Sequence, residues 1–192
     1  MFSWYLLLMK LNYLCSLPTL VLAFNCAHAE LLSVDSQQSK IEVSVTATVD
    51  SFVGRLEKFQ TTIVYSPTSS VPDQASVTFD FKDLKTGKPD RDTEMLKWLD
   101  YATKPSCNFT LSNWKTLGTT NYAEGTITIH GVTKSLAMPV TVGQTGTNYT
   151  ITGTADLNYR DFDLPIIRKM LLLTVNPHLH VSFQLVGTIP AK

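Results

Sequence analysis

Residues 126–142, TITIHGVTKSLAMPVTV, restrict the fold more than any other stretch of the chain. Ile127 and Ile129 alternate with Thr126, Thr128 and His130. Leu136, Met138, Val140 and Val142 then alternate with Ser135, Ala137, Pro139 and Thr141. A period of two gives each segment one apolar and one wet face, as in a half-buried strand. The connection is expected over His130-Gly131-Val132-Thr133-Lys134, where Gly131 can take the positive φ that such a loop needs. Pro139 has no ladder donor and is expected at a strand edge or a bulge.

The same alternation recurs along the chain. It runs through Ile41, Val43, Val45, Ala47 and Val49; through Phe59, Thr61, Ile63 and Tyr65; and through Ala75, Val77, Phe79 and Phe81. It returns at Cys107, Phe109 and Leu111, at Ile151, Gly153, Ala155 and Leu157, and at Leu179, Val181, Phe183 and Leu185. Residues 51–56 read as an interruption, with Gly54 available for a bend, and residues 113–120 and 143–148 read as turn regions. A short helix is expected over residues 90–99, capped by Asp90 or Asp92, with Met95, Leu96 and Leu99 at helical spacing. Residues 166–175 have no clean period and fit a strand, a short helix or a lid, and the apolar stretch 164–175 could be a lid, a dimer surface or a membrane contact. With one short helix to cover a sheet face, about eight alternating segments are best buried by closure. The expected fold is all-β, an eight-stranded antiparallel barrel with its apolar rows inward.

The first 29 residues carry one basic residue, Lys10, no acid, an apolar middle and the ending Ala27-His28-Ala29. That is the pattern of a secretory signal peptide cleaved after Ala29, with residues 30–192 as the exported domain, periplasmic or secreted. Without Lys10 the 16 basic residues fall to 15 against 16 acidic ones. This near-neutral balance, with no basic run, argues against a nucleic-acid partner. Cys15 and Cys26 fall in the leader, which leaves Cys107 without a disulfide partner in the mature chain. No second apolar segment is long enough to span a membrane.

Several motifs resemble those of the YceI-like family. Gly125-Thr126-Ile127-Thr128-Ile129-His130-Gly131-Val132-Thr133-Lys134 is close to G-x-L-T-I-x-G-V-T-K. Thr86-Gly87 followed by Arg91-Asp92 and Leu96 is similar to a T-G turn and R-D-x-x-L, and residues 105–109 resemble P-x-x-x-F. Residues 158–162, Asn-Tyr-Arg-Asp-Phe, fit N-R-x-D-F with one shifted position. Asp163 stands where that family usually has glycine, and residues 38–41 lack its His near the first strand. The resemblance implies an exported, lipocalin-like barrel that binds polyisoprenoid or other long-chain lipid, without catalysis and without a cofactor.

On that reading the cavity is lined by Val43, Val45, Phe59, Ile63, Val77, Phe79, Phe109, Leu111, Ile127, Ile129, Leu136, Met138, Leu157, Val181 and Phe183, with Ile41 beside them. The alternative is a structural module in which these side chains fill the core and no ligand enters. Gly153 and Ala155 are expected to leave room on the apolar face. Arg91 with Asp92, and Arg160 with Asp161, are either rim charges near a polar headgroup or residues that orient turns. His178 and His180 share a strand face at a spacing that can bind metal, but no carboxylate or thiol is evident beside them, so no metal is expected. The inward rows hold only Thr61 and Cys107 as polar groups, a thin basis for an enzyme. The expected partner is a long-chain lipid or isoprenoid, with a second copy of the chain as a possible homodimer partner.

Overall fold

The computed structural model describes residues 29–48, 50–66, 69–169 and 173–190. Apart from Ala29, the expected leader lies outside the described residues, as does Val49 at the end of the first apolar row. Among the described residues thirteen strands make one antiparallel sheet. They are β1 Glu30–Leu31, β2 Ser33–Val34, β3 Lys40–Ala47, β4 Phe52–Leu56, β5 Gln60–Tyr65, β6 Gln74–Asp80 and β7 Leu84–Lys85. The rest are β8 Ser106–Leu117, β9 Thr120–Ile129, β10 Val132–Thr145, β11 Asn148–Asn158, β12 Arg168–Lys169 and β13 Leu173–Thr188. Among the described residues one helix, α1 Pro89–Trp98, and two 3-10 turns, Phe81–Asp83 and Tyr159–Phe162, interrupt the strands.

The spatial order is β1-β5-β6-β8-β9-β10-β11-β13-β3-β4-β7, with β2 and β12 paired onto β13. Among the described residues no ladder joins the β1–β5 end to the β4–β7 end. The expected eight-stranded ring is therefore corrected to a strongly curled half-barrel of more strands. Its two ends are the short pairings of β1 with β5 and of β7 with β4, and β6 leaves its own ladder at Asp80. There the Asp80 carboxylate accepts from Lys82 N (2.9 Å) and starts a 3-10 turn, and only the short β7 returns to pair with β4.

The strand count was too low for two physical reasons. Two-residue strands such as β1, β2, β7 and β12 have no period to read. In addition, β4 looked like a bend because of Gly54. That glycine is instead a point of close packing, where a Cβ would lie 3.2 Å from Leu84 Cδ1. The expected turn regions at 113–120 and 143–148 are also mostly strand. Hairpin loops shrink to Gly118-Thr119 and Gly146-Thr147, with both glycines at positive φ. The connection in the opening motif is only His130-Gly131, both at positive φ (51° and 75°), because Ile129 already pairs with Val132. That is the pattern of a type I′ hairpin turn. Pro139 pairs with Tyr122 on β9 and sits one residue outside the β11 ladder, which starts at Val140. It thus holds the edge placement its missing donor requires.

The short helix is present, but Asp90 and Asp92 do not cap it. Lys88 is the N-cap, without a side-chain bond, and Pro89 fills the first helical position, where its missing N–H costs nothing. Asp163 adopts the left-handed region (φ 58°). The backbone there keeps the conformation a glycine takes most readily, in a residue type that tolerates it.

Two buried clusters form the core. One gathers Leu32, Ile41, Ile63, Tyr65, Val140, Tyr149, Ile151 and Leu185. The other gathers Phe81, Leu99, Cys107, Ile127, Tyr159, Phe162, Leu164 and Val175. Neither fills the interior.

Candidate functional site

The concave face of the sheet encloses a cavity of about 1410 Å³, bounded by members of both clusters. It forms because alternation sends every second side chain of β3, β5, β6, β8, β9, β10, β11 and β13 to the same side. Of the side chains expected to line it, Val43, Val45, Ile63, Val77, Phe79, Phe109, Leu111, Ile127, Ile129, Leu136, Met138, Leu157, Val181 and Phe183 do so, as does Ile41. Phe59 does not. It precedes β5, in the corner after β4, and packs against the first cluster instead.

Gly153 corrects a second expectation. The room it leaves is taken by protein, since a Cβ there would lie 2.5 Å from Phe183 Cζ and 2.7 Å from the Pro139 carbonyl oxygen. Ala155 does line the cavity. Trp114 lines it too and was hidden by a bulge between Leu111 and Asn113, which shifts the phase of β8 by one residue. Its Nε1 donates to the Pro72 carbonyl (2.7 Å), which fixes the indole against the wall.

Of the two inward polar candidates, only Cys107 lies on the wall. Burial pushes its thiol up to about 12, so at neutral pH it is protonated and a weak nucleophile. The Tyr65 ring lies 4.7 Å from that of Tyr149, tilted by 42°, in the first buried cluster. Its buried hydroxyl has no hydrogen-bond partner among the described residues. Burial first, and Tyr149 second, raise its pKa.

All charged lining residues belong to three segments. These are Asp50 in the β3–β4 connection; Lys88, Asp90, Arg91, Glu94 and Lys97 on and just before α1; and Arg168 on β12. The side chains of Asp50, Lys88, Glu94 and Lys97 are all more than half exposed, so these segments mark the mouth, where the cavity meets solvent. Arg91 is held there from two sides. Its guanidinium lies 3.8 Å above the Phe52 ring, and its Nε donates to Thr86 Oγ1 (3.2 Å). Thr86 Oγ1 donates in turn to Asp92 Oδ1 (2.5 Å), which also accepts from Thr86 N (2.9 Å). Asp92 therefore orients a turn, and Arg91 stands at the rim. Arg160 and Asp161 do not line this cavity. Asp161 borders a separate pocket of about 200 Å³.

The described part of the stretch 164–175 borders the main cavity. It consists of two antiparallel arms, with Arg168 opposite Thr174; residues 170–172 lie outside the described residues. Ile166, Ile167 and Arg168 line the cavity. The arms are tied down by Trp98 Nε1 donating to Pro165 O (2.9 Å) and by Tyr159 Oη donating to Val175 O (3.1 Å).

His130 takes a structural role. His130 Nδ1 donates to Phe162 O (3.1 Å), and its Nε2 faces Lys104 Nζ (3.4 Å), so it fastens the β9–β10 turn to the second 3-10 turn. His180 does have a carboxylate partner, contrary to expectation. Asp156, directly opposite on β11, lies 2.7 Å from its Nδ1 on the exposed face. The pair was missed because it joins residues 24 apart in sequence. Among the described residues no group of three or more His, Cys, Asp or Glu side chains is placed to hold a metal ion, and no helix is long and apolar enough to cross a membrane.

Comparison with known proteins agrees with this architecture. The family model described as a YceI-like domain matches residues 32–187. No curated protein matches the chain. Among solved structures, BcnA of Burkholderia cenocepacia superposes with a TM-score of 0.71 at 22% identity, covering 81% of this chain and 100% of that one. A polyisoprenoid binding domain from Saccharophagus degradans, implicated in plant cell wall breakdown, gives 0.68 at 17% identity over 84% of this chain and 99% of that one. The Campylobacter jejuni YCEI protein gives 0.63 at 16% identity over 72% and 85%. At these identities the likeness is one of fold.

Proposed function

The chain belongs to the YceI-like domain family, and on that premise we propose that it is a non-enzymatic binding protein for one long apolar chain, a polyisoprenoid or a fatty-acid-like lipid. The observation that carries this reading is the segregation of the cavity lining. Its walls are apolar strand residues, and its charged side chains are confined to the mouth. A volume of about 1410 Å³ exceeds the roughly 300–1,000 Å³ of ordinary small-molecule pockets. A guest chain that moves from water onto these walls gains about 0.8 kcal/mol per buried methylene. The Saccharophagus degradans domain, described as polyisoprenoid binding, has the same fold, which supports the isoprenoid form of the proposal. The protonated Cys107 thiol on the wall fits binding better than chemistry. We also read residues 1–29 as a cleaved leader, so the working protein is periplasmic or secreted.

The test is to purify the protein natively from its exported fraction, extract it with organic solvent and analyse extract and chain by mass spectrometry. The expected result is a long-chain lipid in the extract and a chain that begins at Glu30. The delipidated protein is then titrated with n-alkanols of increasing length. Affinity should rise about fourfold per added methylene, the equivalent of ~0.8 kcal/mol, until the cavity is full. A lipid-free extract together with a flat alkanol series would refute the proposal.

A further inference from the structure

Most of the cations at the cavity mouth are already answered or loose in solvent. Lys97 pairs with Glu94 at 2.9 Å, and both side chains are about two-thirds exposed. Lys88 is equally exposed and sits 3.8 Å from Asp50, and Arg168 is exposed. Arg91 is different, with only 22% of its side chain exposed. The Phe52 ring supports one face of its guanidinium, and Thr86 holds its Nε from behind. The Thr86 hydroxyl is itself locked by Asp92. Among the described residues its two Nη groups make no hydrogen bond, and their one ion-pair partner, Asp50, stands 3.8 Å away, beyond hydrogen-bond range. A pre-oriented, half-dry guanidinium fork with its outer edge unused is the group best suited to a carboxylate or phosphate. Here it opens at the entrance to an apolar cavity.

We infer that Arg91 is the headgroup anchor of this cavity, and that its ligand is an anionic amphiphile: one apolar chain ending in a carboxylate or a phosphate. Thr86 and Asp92 are positioning residues, since they act on the ligand only through the guanidinium. Asp50 is the internal competitor. Its loose contact with Arg91 is the one an incoming anion replaces. This inference rests on the binding function proposed above and narrows its ligand class.

The experiment uses the delipidated mature protein and three probes of equal chain length, dodecanol, dodecanoate and dodecyl phosphate, titrated by calorimetry near pH 8, with inorganic phosphate as a fourth titrant. Wild type should bind both anions about tenfold or more tightly than the alcohol, because a charge-assisted fork adds to the same chain burial. Arg91→Gln should erase that preference and leave dodecanol within about twofold of wild type. Arg91→Lys should keep part of it. Asp50→Asn should tighten the anions a few-fold and leave the alcohol unchanged. Inorganic phosphate alone should bind far more weakly than dodecyl phosphate. Equal affinity for alcohol and anions in the wild type would overturn the inference while leaving the binding function intact, as would an equal loss for all three chain probes in Arg91→Gln with an unchanged unfolding midpoint. Tight binding of inorganic phosphate without a chain would also overturn it. Failure of every chain probe in the wild type would instead strike at the binding function itself.

Discussion

Gly153→Ala puts the packing of the cavity wall to a direct test. Gly153 on β11 is in register with Phe183 on β13, and Phe183 lines the cavity. A methyl group at residue 153 would sit 2.5 Å from Phe183 Cζ, 2.8 Å from Cε1 and 2.7 Å from the Pro139 carbonyl oxygen. Carbon pairs are comfortable at about 3.5–4.0 Å, so the ring must retreat by about 1 Å. The carbonyl has less freedom, because Pro139 is in register with Tyr122 in the β9 ladder. Overpacking of this kind costs about 1–3 kcal/mol, offset by the roughly 0.5–1 kcal/mol that alanine gains over glycine in a strand. The expected net loss is about 1–2 kcal/mol, or about 3–6 °C in Tm for a domain of this size. The displaced ring enters the cavity, so the alkanol length at which affinity stops rising should shorten. Urea and thermal unfolding, followed by tryptophan fluorescence, give the first quantity, and the alkanol series gives the second. Adding Phe183→Leu should recover part of the loss, a favourable coupling of at least about 0.5 kcal/mol in the double-mutant cycle. A Gly153→Ala protein as stable as wild type, with unchanged alkanol capacity, would show that close approach is not what this glycine provides.

Two other perturbations follow from single contacts. Burial raises the Cys107 thiol from 9.0 to about 12 in the folded state. Above pH 9 the unfolded chain therefore loses a proton that the folded chain keeps, and stability that is complete below pH 9 should fall by about 1.4 kcal/mol per pH unit as pH rises toward 12. Urea midpoints against pH should thus decline more steeply for wild type than for Cys107→Ala; parallel declines would contradict the assignment. Tyr159→Phe removes the hydroxyl that donates to Val175 O and accepts from Ile167 N across the two arms. It should cost about 1 kcal/mol and speed amide exchange at Ile167 and Val175. Unchanged exchange there would mean that the arms do not depend on this link.

How much of this molecule could be read from its sequence depended on how each part is encoded. The wall is written in repetition. Ile127, Ile129, Leu136 and Met138 each occupy one place in a period of two, and a reader who misjudges one of them still recovers the row. That redundancy made the antiparallel sheet, the short helix and nearly all of the expected cavity lining legible. Where the period slips, the reading slips with it. The bulge after Leu111 hid Trp114, and Gly54 disguised β4 as a bend. The mouth has no redundancy at all. Arg91 faces the cavity only because Phe52, from a strand that was not recognised, lies under it, and because Thr86 and Asp92 hold it from another turn. Each of those contacts joins residues whose spacing follows no period, so nothing in the linear pattern distinguishes Arg91 from Arg160, which carries an equally suggestive motif and lies away from the cavity. The division has a chemical counterpart. Under the proposed function, affinity for a chain would be spread over many interchangeable wall residues and should survive most single substitutions there. Under the proposed anchoring, choice among headgroups would rest on one guanidinium and its three supports, so a change at Phe52, Thr86, Arg91 or Asp92 should alter which chains are taken before it alters whether any are.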